Sequence, residues 1–178
     1  MKKLTVLEMN RLSVEEFHEA EKMPLIVVLD DVRSLYNVGS VFRTSDAFRV
    51  EAIYLCGITV KPDTCSESAA RELHKTALGA EDSVAWRYFP TAVEAVEALQ
   101  KDGYEVLAVE QCHGSTMLGD FTPSPSKRYA VVLGNEVKGV HQEVVDMCDG
   151  CLEIPQYGTK HSLNVSVTAG IIIWQFVK

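Results

Sequence analysis

Three short segments carry the side chains best placed to do chemistry, and each contains or adjoins a glycine. The first is Asn37-Val38-Gly39-Ser40-Val41-Phe42-Arg43-Thr44, shortly after an apolar run that reads as a strand. Ligands of parallel α/β sheets bind beyond the carboxyl ends of strands, so a site is expected there. Asn37 reads as the N-cap of a helix. Gly39 keeps the helix entrance open to close approach. Arg43 lies six residues past that cap, about 9 Å along the helix axis, where a guanidinium can fork onto a phosphate. In isolation, a capped helix with an ordinary arginine would look the same.

The second segment is Leu133-Gly134-Asn135-Glu136, again at the end of an apolar run, with Gly139 close behind. Alone it is a tight turn between strand and helix, although Gly134 would let backbone amides approach a ligand. Neither G-x-G-x-x-G nor G-x-x-x-x-G-K occurs anywhere in the chain, so no nucleotide-phosphate loop is signalled. The third segment is Ile154-Pro155-Gln156-Tyr157-Gly158-Thr159-Lys160-His161-Ser162-Leu163-Asn164-Val165-Ser166-Val167. Ser162 reads as a helix N-cap, which leaves Asn164 in the first turn, where asparagine is disfavoured. Two polar groups at a helix entrance with free N–H donors point to a binding site.

Taken together, the segments resemble the three signature motifs of the SpoU (TrmH-like) family of RNA 2′-O-methyltransferases: N-x-G-x-x-x-R, L-G-x-E and I-P-x-x-G-x-x-x-S-L-N-V-S-V, in that order. The third is highly specific. The likeness runs from about Leu25 to the C-terminus, which divides the chain into an N-terminal helical extension, 1–24, and a methyltransferase domain, 25–178. Departures are small: Gln156-Tyr157 stands where the family often has a hydrophobic pair, and Ser45-Asp46 follow the arginine and threonine. The resemblance implies a SPOUT α/β fold with a C-terminal trefoil knot, a topology too rare to expect from sequence physics. It also implies a homodimer and S-adenosyl-L-methionine bound in the knot, against Gly134, Ile154 and Leu163, with Leu133 and Asn135 beside them.

Methyl transfer to a ribose 2′-OH needs an in-line approach of oxygen to the sulfonium methyl, so holding that geometry supplies much of the rate. The reaction requires no metal. On the family pattern the catalytic set is Arg43, Asn37, Asn164, Glu136 and Ser162. Deprotonating a guanidinium is costly, so Arg43 is read as a phosphate clamp that stabilises developing alkoxide charge. Asn37 and Asn164 would orient the ribose and Arg43, Glu136 would hold the second loop, and Ser162 the entrance to the last helix. Arg43 is expected to reach the partner's cofactor pocket. Two other readings compete: a base-methylating knotted enzyme, and a catalytically silent RNA-binding or assembly factor on the same fold. The RNA is read as transfer RNA in preference to ribosomal RNA.

The elements that must position these residues alternate. Continuous apolar runs at 25–29 and 129–133 read as strands buried on both faces, with further strands at 52–56, 84–88, 104–109 and 151–154. Helices are expected from a Ser13 capping box to Lys22, from Asn37 to Phe48, from Ser66 to Ala77, after Thr91, over 140–147 and over 163–177. That alternation predicts an α/β fold with a mostly parallel sheet covered on both faces by helices. The last helix is apolar all round, which calls for burial on every side and favours a two-fold partner.

Bulk properties set outer bounds. With 178 residues, 47% hydrophobic and 24% charged, the chain has a globular composition, and it fits one domain. No apolar run is long enough for a membrane span and no signal peptide is apparent, which reads as cytoplasmic. The net charge of −8 runs against a nucleic-acid partner, but 17 basic residues allow a local patch, for which Arg33, Arg43, Arg49 and Lys160 are candidates. Cys148 and Cys151 form a lone C-x-x-C without a second pair, so buried thiols are expected rather than a metal centre. His18, His74, His113 and His141 share no ligand-like spacing, and Lys160 and His161 adjoin the third segment.

Overall fold

The structure, a computed structural model, describes residues 1–5 and 7–177. In chain order the elements are α1 (Val14–Glu19), β1 (Met23–Asp30), α2 (Leu35–Ala47), β2 (Val50–Cys56), α3 (Glu67–Ala77), α4 (Ala80–Ser83) and β3 (Trp86–Phe89). They continue with α5 (Ala92–Lys101), β4 (Tyr104–Val109), β5 (Thr116–Met117), β6 (Arg128–Leu133), α6 (Gln142–Met147), β7 (Gly150–Glu153) and α7 (Val165–Val177). The seven strands form one sheet in the order β3-β2-β1-β6-β4-β7-β5, and every pairing is parallel.

β1 shows why the apolar run has no polar alternate. Leu25, Val27 and Leu29 point into one core, with Phe42 of α2, Leu73 of α3 and Ile172 of α7. Ile26 and Val28 point into a second core on the other face, with Val96 and Leu99 of α5 and Val144 of α6. A strand that feeds two cores must be apolar at every position. Strand order was unreadable from periodicity, and it places the carboxyl ends of β1, β6, β4 and β7 side by side.

Several boundaries differ from the sequence reading, and two of the differences matter for function. α2 starts at Leu35, capped by Ser34 and not by Asn37: the Ser34 hydroxyl accepts the Asn37 N–H at 3.3 Å. α7 starts at Val165, and its cap is Asn164, not Ser162. The Asn164 carboxamide oxygen accepts the N–H of Ser166 at 2.9 Å and of Val167 at 3.4 Å, while its carbonyl accepts the Thr168 N–H at 2.9 Å. α1 keeps its capping box but ends at Glu19 instead of Lys22. Lys22 turns back, bonds the carbonyls of Phe17 and Ala20, and sits 4.5 Å from the Phe17 ring centroid. α4 and the edge strand β5 had no counterpart in the sequence reading, and β3 begins two residues later than expected.

Candidate active site

The ends of β6, β4 and β7, the loops that leave them and the start of α7 enclose a cleft of about 310 Å³, at the lower end of the range for small-molecule sites. Apolar lining comes from Val109, Leu133, Leu152, Ile154 and Leu163, and polar lining from Glu110, Gln111, Asn135, Glu136, His161 and Ser162. All five residues expected against a cofactor, Leu133, Gly134, Asn135, Ile154 and Leu163, line this cleft.

The second loop is folded tightly on itself. Asn135 and Gly139 exchange backbone hydrogen bonds at 3.0 and 2.9 Å, and Gly139 has φ +71°. A Cβ on Gly134 would lie 2.0 Å from both the Gly139 carbonyl carbon and the Val140 nitrogen. Glycine is therefore required at 134 for packing, independent of any ligand. The Asn135 side chain is committed to the same loop. Its amide donates to the Asp31 carbonyl at 2.7 Å and its oxygen accepts the Val137 and Lys138 N–H groups at 2.9 and 3.2 Å.

One hydrogen-bonded chain joins all three segments. Glu136 accepts the backbone N–H groups of Arg33 at 3.1 Å and Ser34 at 3.0 Å, and the Asn37 amide at 3.0 Å. The Asn37 oxygen then accepts the Asn164 amide at 3.1 Å. The observed caps explain the geometry. Because Ser34 caps α2, the Asn37 carboxamide is free to bridge. Because Asn164 caps α7 through its oxygen, its nitrogen is left for Asn37. Burial pushes the Glu136 carboxyl up, but its bonds to the Asn37 amide and to the N–H groups of Ser34, Arg33 and its own backbone outweigh this and lower its pKa. The carboxylate also sits at the positive end of α2.

Of the five residues expected to be catalytic, Glu136 and Ser162 line the cleft, and Asn37 and Asn164 join it through Glu136. Arg43 does not. It is exposed near the other end of α2, its side chain without an ion pair or hydrogen bond to any described residue, and lines a groove of about 860 Å³. That groove lies between the N-terminal segment, the carboxyl end of α2 and the α3–α4 turn, and Arg11 and Arg49 line it too. The basic patch is thus divided: Arg43 and Arg49 share the groove, while Arg33 is exposed beside Glu136 and Lys160 is exposed on the third loop.

Glu110 and Gln111 lie outside all three segments, yet both line the cleft. Their signal in the sequence was two long polar residues directly after the apolar run of β4. His141, unremarkable by spacing, meets Asp30 and Asp31, and the three could offer metal ligands within 4.8 Å of one another. The Asp30 oxygens are already engaged by the His141 ring at 2.9 and 3.1 Å and by its backbone N–H at 3.0 Å. The half-buried Cys151 faces Cys112, with 3.2 Å between the sulfurs, rather than Cys148. Burial pushes the thiols of Cys148 and Cys151 up to about 12.

Comparison with known proteins agrees with this architecture. The SpoU rRNA Methylase family matches residues 24–174. A tRNA (guanosine(18)-2′-O)-methyltransferase of Aquifex aeolicus is 30% identical over 175 residues, covering 96% of this chain and 76% of the relative. A 23S rRNA (guanosine-2′-O-)-methyltransferase of Neisseria meningitidis is 27% identical over 165 residues, and the match spans 62% of its length. Among solved structures, the A. aeolicus TrmH/SpoU tRNA modifying enzyme superposes with a TM-score of 0.77 at 25% identity, over 92% of this chain and 80% of that one. An AdoMet-bound rRNA methyltransferase of Sinorhizobium meliloti gives a TM-score of 0.77 at 24% identity over 90% of this chain and 59% of that one, a likeness of fold. With its three motifs joined at one cleft and the family matched over 24–174, the chain belongs to the SpoU rRNA Methylase family.

Proposed function

We propose that the chain is an S-adenosyl-L-methionine-dependent RNA (ribose-2′-O)-methyltransferase that works in the cytoplasm as a homodimer. Residues 25–178 form the catalytic domain, its C-terminal segment threaded as a knot, and residues 1–24 an extension. The observation that carries the reading is the Glu136–Asn37–Asn164 chain, which fixes three separated segments at the rim of a cleft walled by backbone loops. The placement of β7 between β4 and β5, both earlier in the chain, is what a threaded C-terminus needs. A cleft that pairs apolar walls (Val109, Leu133, Leu152, Ile154, Leu163) with polar groups (Glu110, Gln111, Asn135, Ser162) fits a nucleoside-like group.

When bound, the cofactor supplies an electrophilic methyl group. The chain's own work is positioning and charge. Asn37 and Asn164 hold the rim and orient the ribose. Arg43 clamps a phosphate bidentately and stabilises the negative charge that grows on the 2′-oxygen, the proton leaving to phosphate or water. Arg43 lies outside its own chain's cleft, so a partner subunit is required to deliver it. The solvent face of α7 offers the surface: Val167, Ile171, Trp174 and Val177 are exposed at spacings of four, three and three, one helical stripe.

Incubating the protein with methyl-labelled cofactor and bulk RNA, then digesting to nucleosides, tests the reaction. Label in 2′-O-methylnucleosides is expected; label in methylated bases, or RNA binding with no label at all, would replace this reading with one of its rivals. Separated transfer and ribosomal RNA fractions identify the substrate. Transfer RNA is the expected acceptor, as named for the Aquifex relative.

Two further outcomes follow. Gly134→Val should weaken binding of S-adenosyl-L-homocysteine by about two orders of magnitude, because the loop must move to relieve 2.0 Å contacts. Titration calorimetry at undiminished affinity would remove Gly134 from the site. RNA affinity should fall with salt despite the net charge of −8. If Arg11, Arg43 and Arg49 each neutralise one phosphate, the slope of log affinity against log salt is about −2 to −3. Arg11→Gln with Arg49→Gln should flatten it by about two thirds; an unchanged slope would move the RNA off this groove.

A further inference from the structure

The three motifs do not account for what holds the cleft's two loop walls to the sheet between them. The carboxyl end of β4 does. Glu110 continues the sheet by one bond, its N–H reaching the Leu152 carbonyl at 3.1 Å. Its carboxylate then leaves the sheet. Oε1 accepts the Val140 N–H at 3.1 Å, and Oε2 accepts the Gln111 N–H at 3.0 Å. Val140 closes the second loop, so this bond ties that loop to the sheet. The approach is close: a Cβ on Gly139 would lie 1.9 Å from Glu110 Oε1. Gln111 reaches the other way. Its amide donates to the His161 carbonyl at 2.6 Å, fifty residues along the chain in the third loop.

We infer that Glu110 and Gln111 act as a paired clamp. One grips the second-motif loop and the other the third-motif loop, and together they set the width of the cofactor cleft and hence cofactor affinity. Both are positioning residues, and the inference rests on the cleft being the cofactor site. A charge-assisted bond to a loop amide and a short bond to a loop carbonyl fix each loop to the end of β4, which no bond within the three motifs does. Loops held in their binding conformation before the ligand arrives lose less entropy on binding, which raises affinity. Neither side chain hydrogen-bonds Asn37 or Asn164, so the chemical step is left unaffected once the cleft is filled.

The test uses the full chain with Glu110→Ala, Glu110→Gln and Gln111→Met. Hydrogen exchange on the ligand-free protein is the first readout. In Glu110→Ala, protection of the Val140 amide should drop about tenfold or more, with the change confined to the second loop. In Gln111→Met it should be confined to the third. Calorimetry with S-adenosyl-L-homocysteine should show affinity lowered about tenfold in Glu110→Ala and Gln111→Met, the loss expected for one such hydrogen bond. Glu110→Gln, which keeps a carbonyl acceptor for Val140, should recover most of it. In turnover assays KM for the cofactor rises and kcat stays within about twofold. Wild-type affinity in both Glu110→Ala and Gln111→Met, or exchange accelerated throughout the sheet, overturns the clamp and leaves the methyltransferase reading intact. Failure of the wild-type protein to bind the cofactor product overturns both.

Discussion

Arg43→Ala is expected to lower methyl transfer by about two to three orders of magnitude, the size seen when one donor to a developing oxyanion is removed. Affinity for S-adenosyl-L-homocysteine should stay within about twofold, because Arg43 does not line the cleft proposed for the cofactor. The fold should also be unaffected: the side chain is exposed and bonds no described residue, and surface truncations of that kind shift stability by about 0.5 kcal/mol or less. The decisive variant is Arg43→Lys. It keeps the charge but loses the planar fork, so it should stay at least about tenfold impaired. Single-turnover measurements with labelled cofactor separate chemistry from product release. Near-normal turnover in Arg43→Lys would mean that charge alone suffices and the bidentate clamp is wrong. A matching loss of cofactor affinity in Arg43→Ala would mean that Arg43 serves the cofactor pocket directly.

The sequence carried the strands well because β1 and β6 feed two cores at once, a demand that leaves uninterrupted apolar runs. Caps were legible where one candidate stood alone, as at Ser13, Ser66 and Thr91. They failed where two polar residues competed within a few positions. Ser34 won over Asn37, since Leu35 and Tyr36 fit either the loop or the first turn, and Asn164 won over Ser162. Both errors hid function, because whichever side chain is released from capping becomes available to the site. The joining of the three motifs was not legible. It depends on Glu136 reaching the start of α2, which follows from β6 lying beside β1, and strand order leaves no mark on periodicity. Glu110 and Gln111 were missed for the same reason: their strand end becomes a cleft wall only because β4 lies between β6 and β7. The groove of Arg11, Arg43 and Arg49 needs the N-terminal segment folded over α2, a contact far apart in the sequence.

Arg43→Ala and Gly134→Val, each strongly impaired alone at subsaturating cofactor, should restore activity when their subunits are exchanged. Arg43 lies six residues beyond Asn37 on α2, about 9 Å further along the axis, and lines a groove separate from the cleft proposed for the cofactor. Within one chain, the expected clamp and the expected methyl donor do not meet. In the proposed dimer a second copy docks on the exposed stripe Val167, Ile171, Trp174 and Val177; α7 packs beside α2 within the chain, so that docking would bring a partner's α2 towards the cleft. In a mixed dimer the Arg43→Ala subunit keeps a sound cleft and receives Arg43 from the Gly134→Val subunit. The reciprocal site has neither. Random exchange makes about half of the dimers mixed, with one working site in two, so roughly a quarter of wild-type turnover should return. Light scattering must show dimers, and exchange of differently tagged subunits must be demonstrated first. Given both, activity that stays at the level of the single variants means each arginine serves its own chain, and a monomeric mass at assay concentration removes the partner altogether.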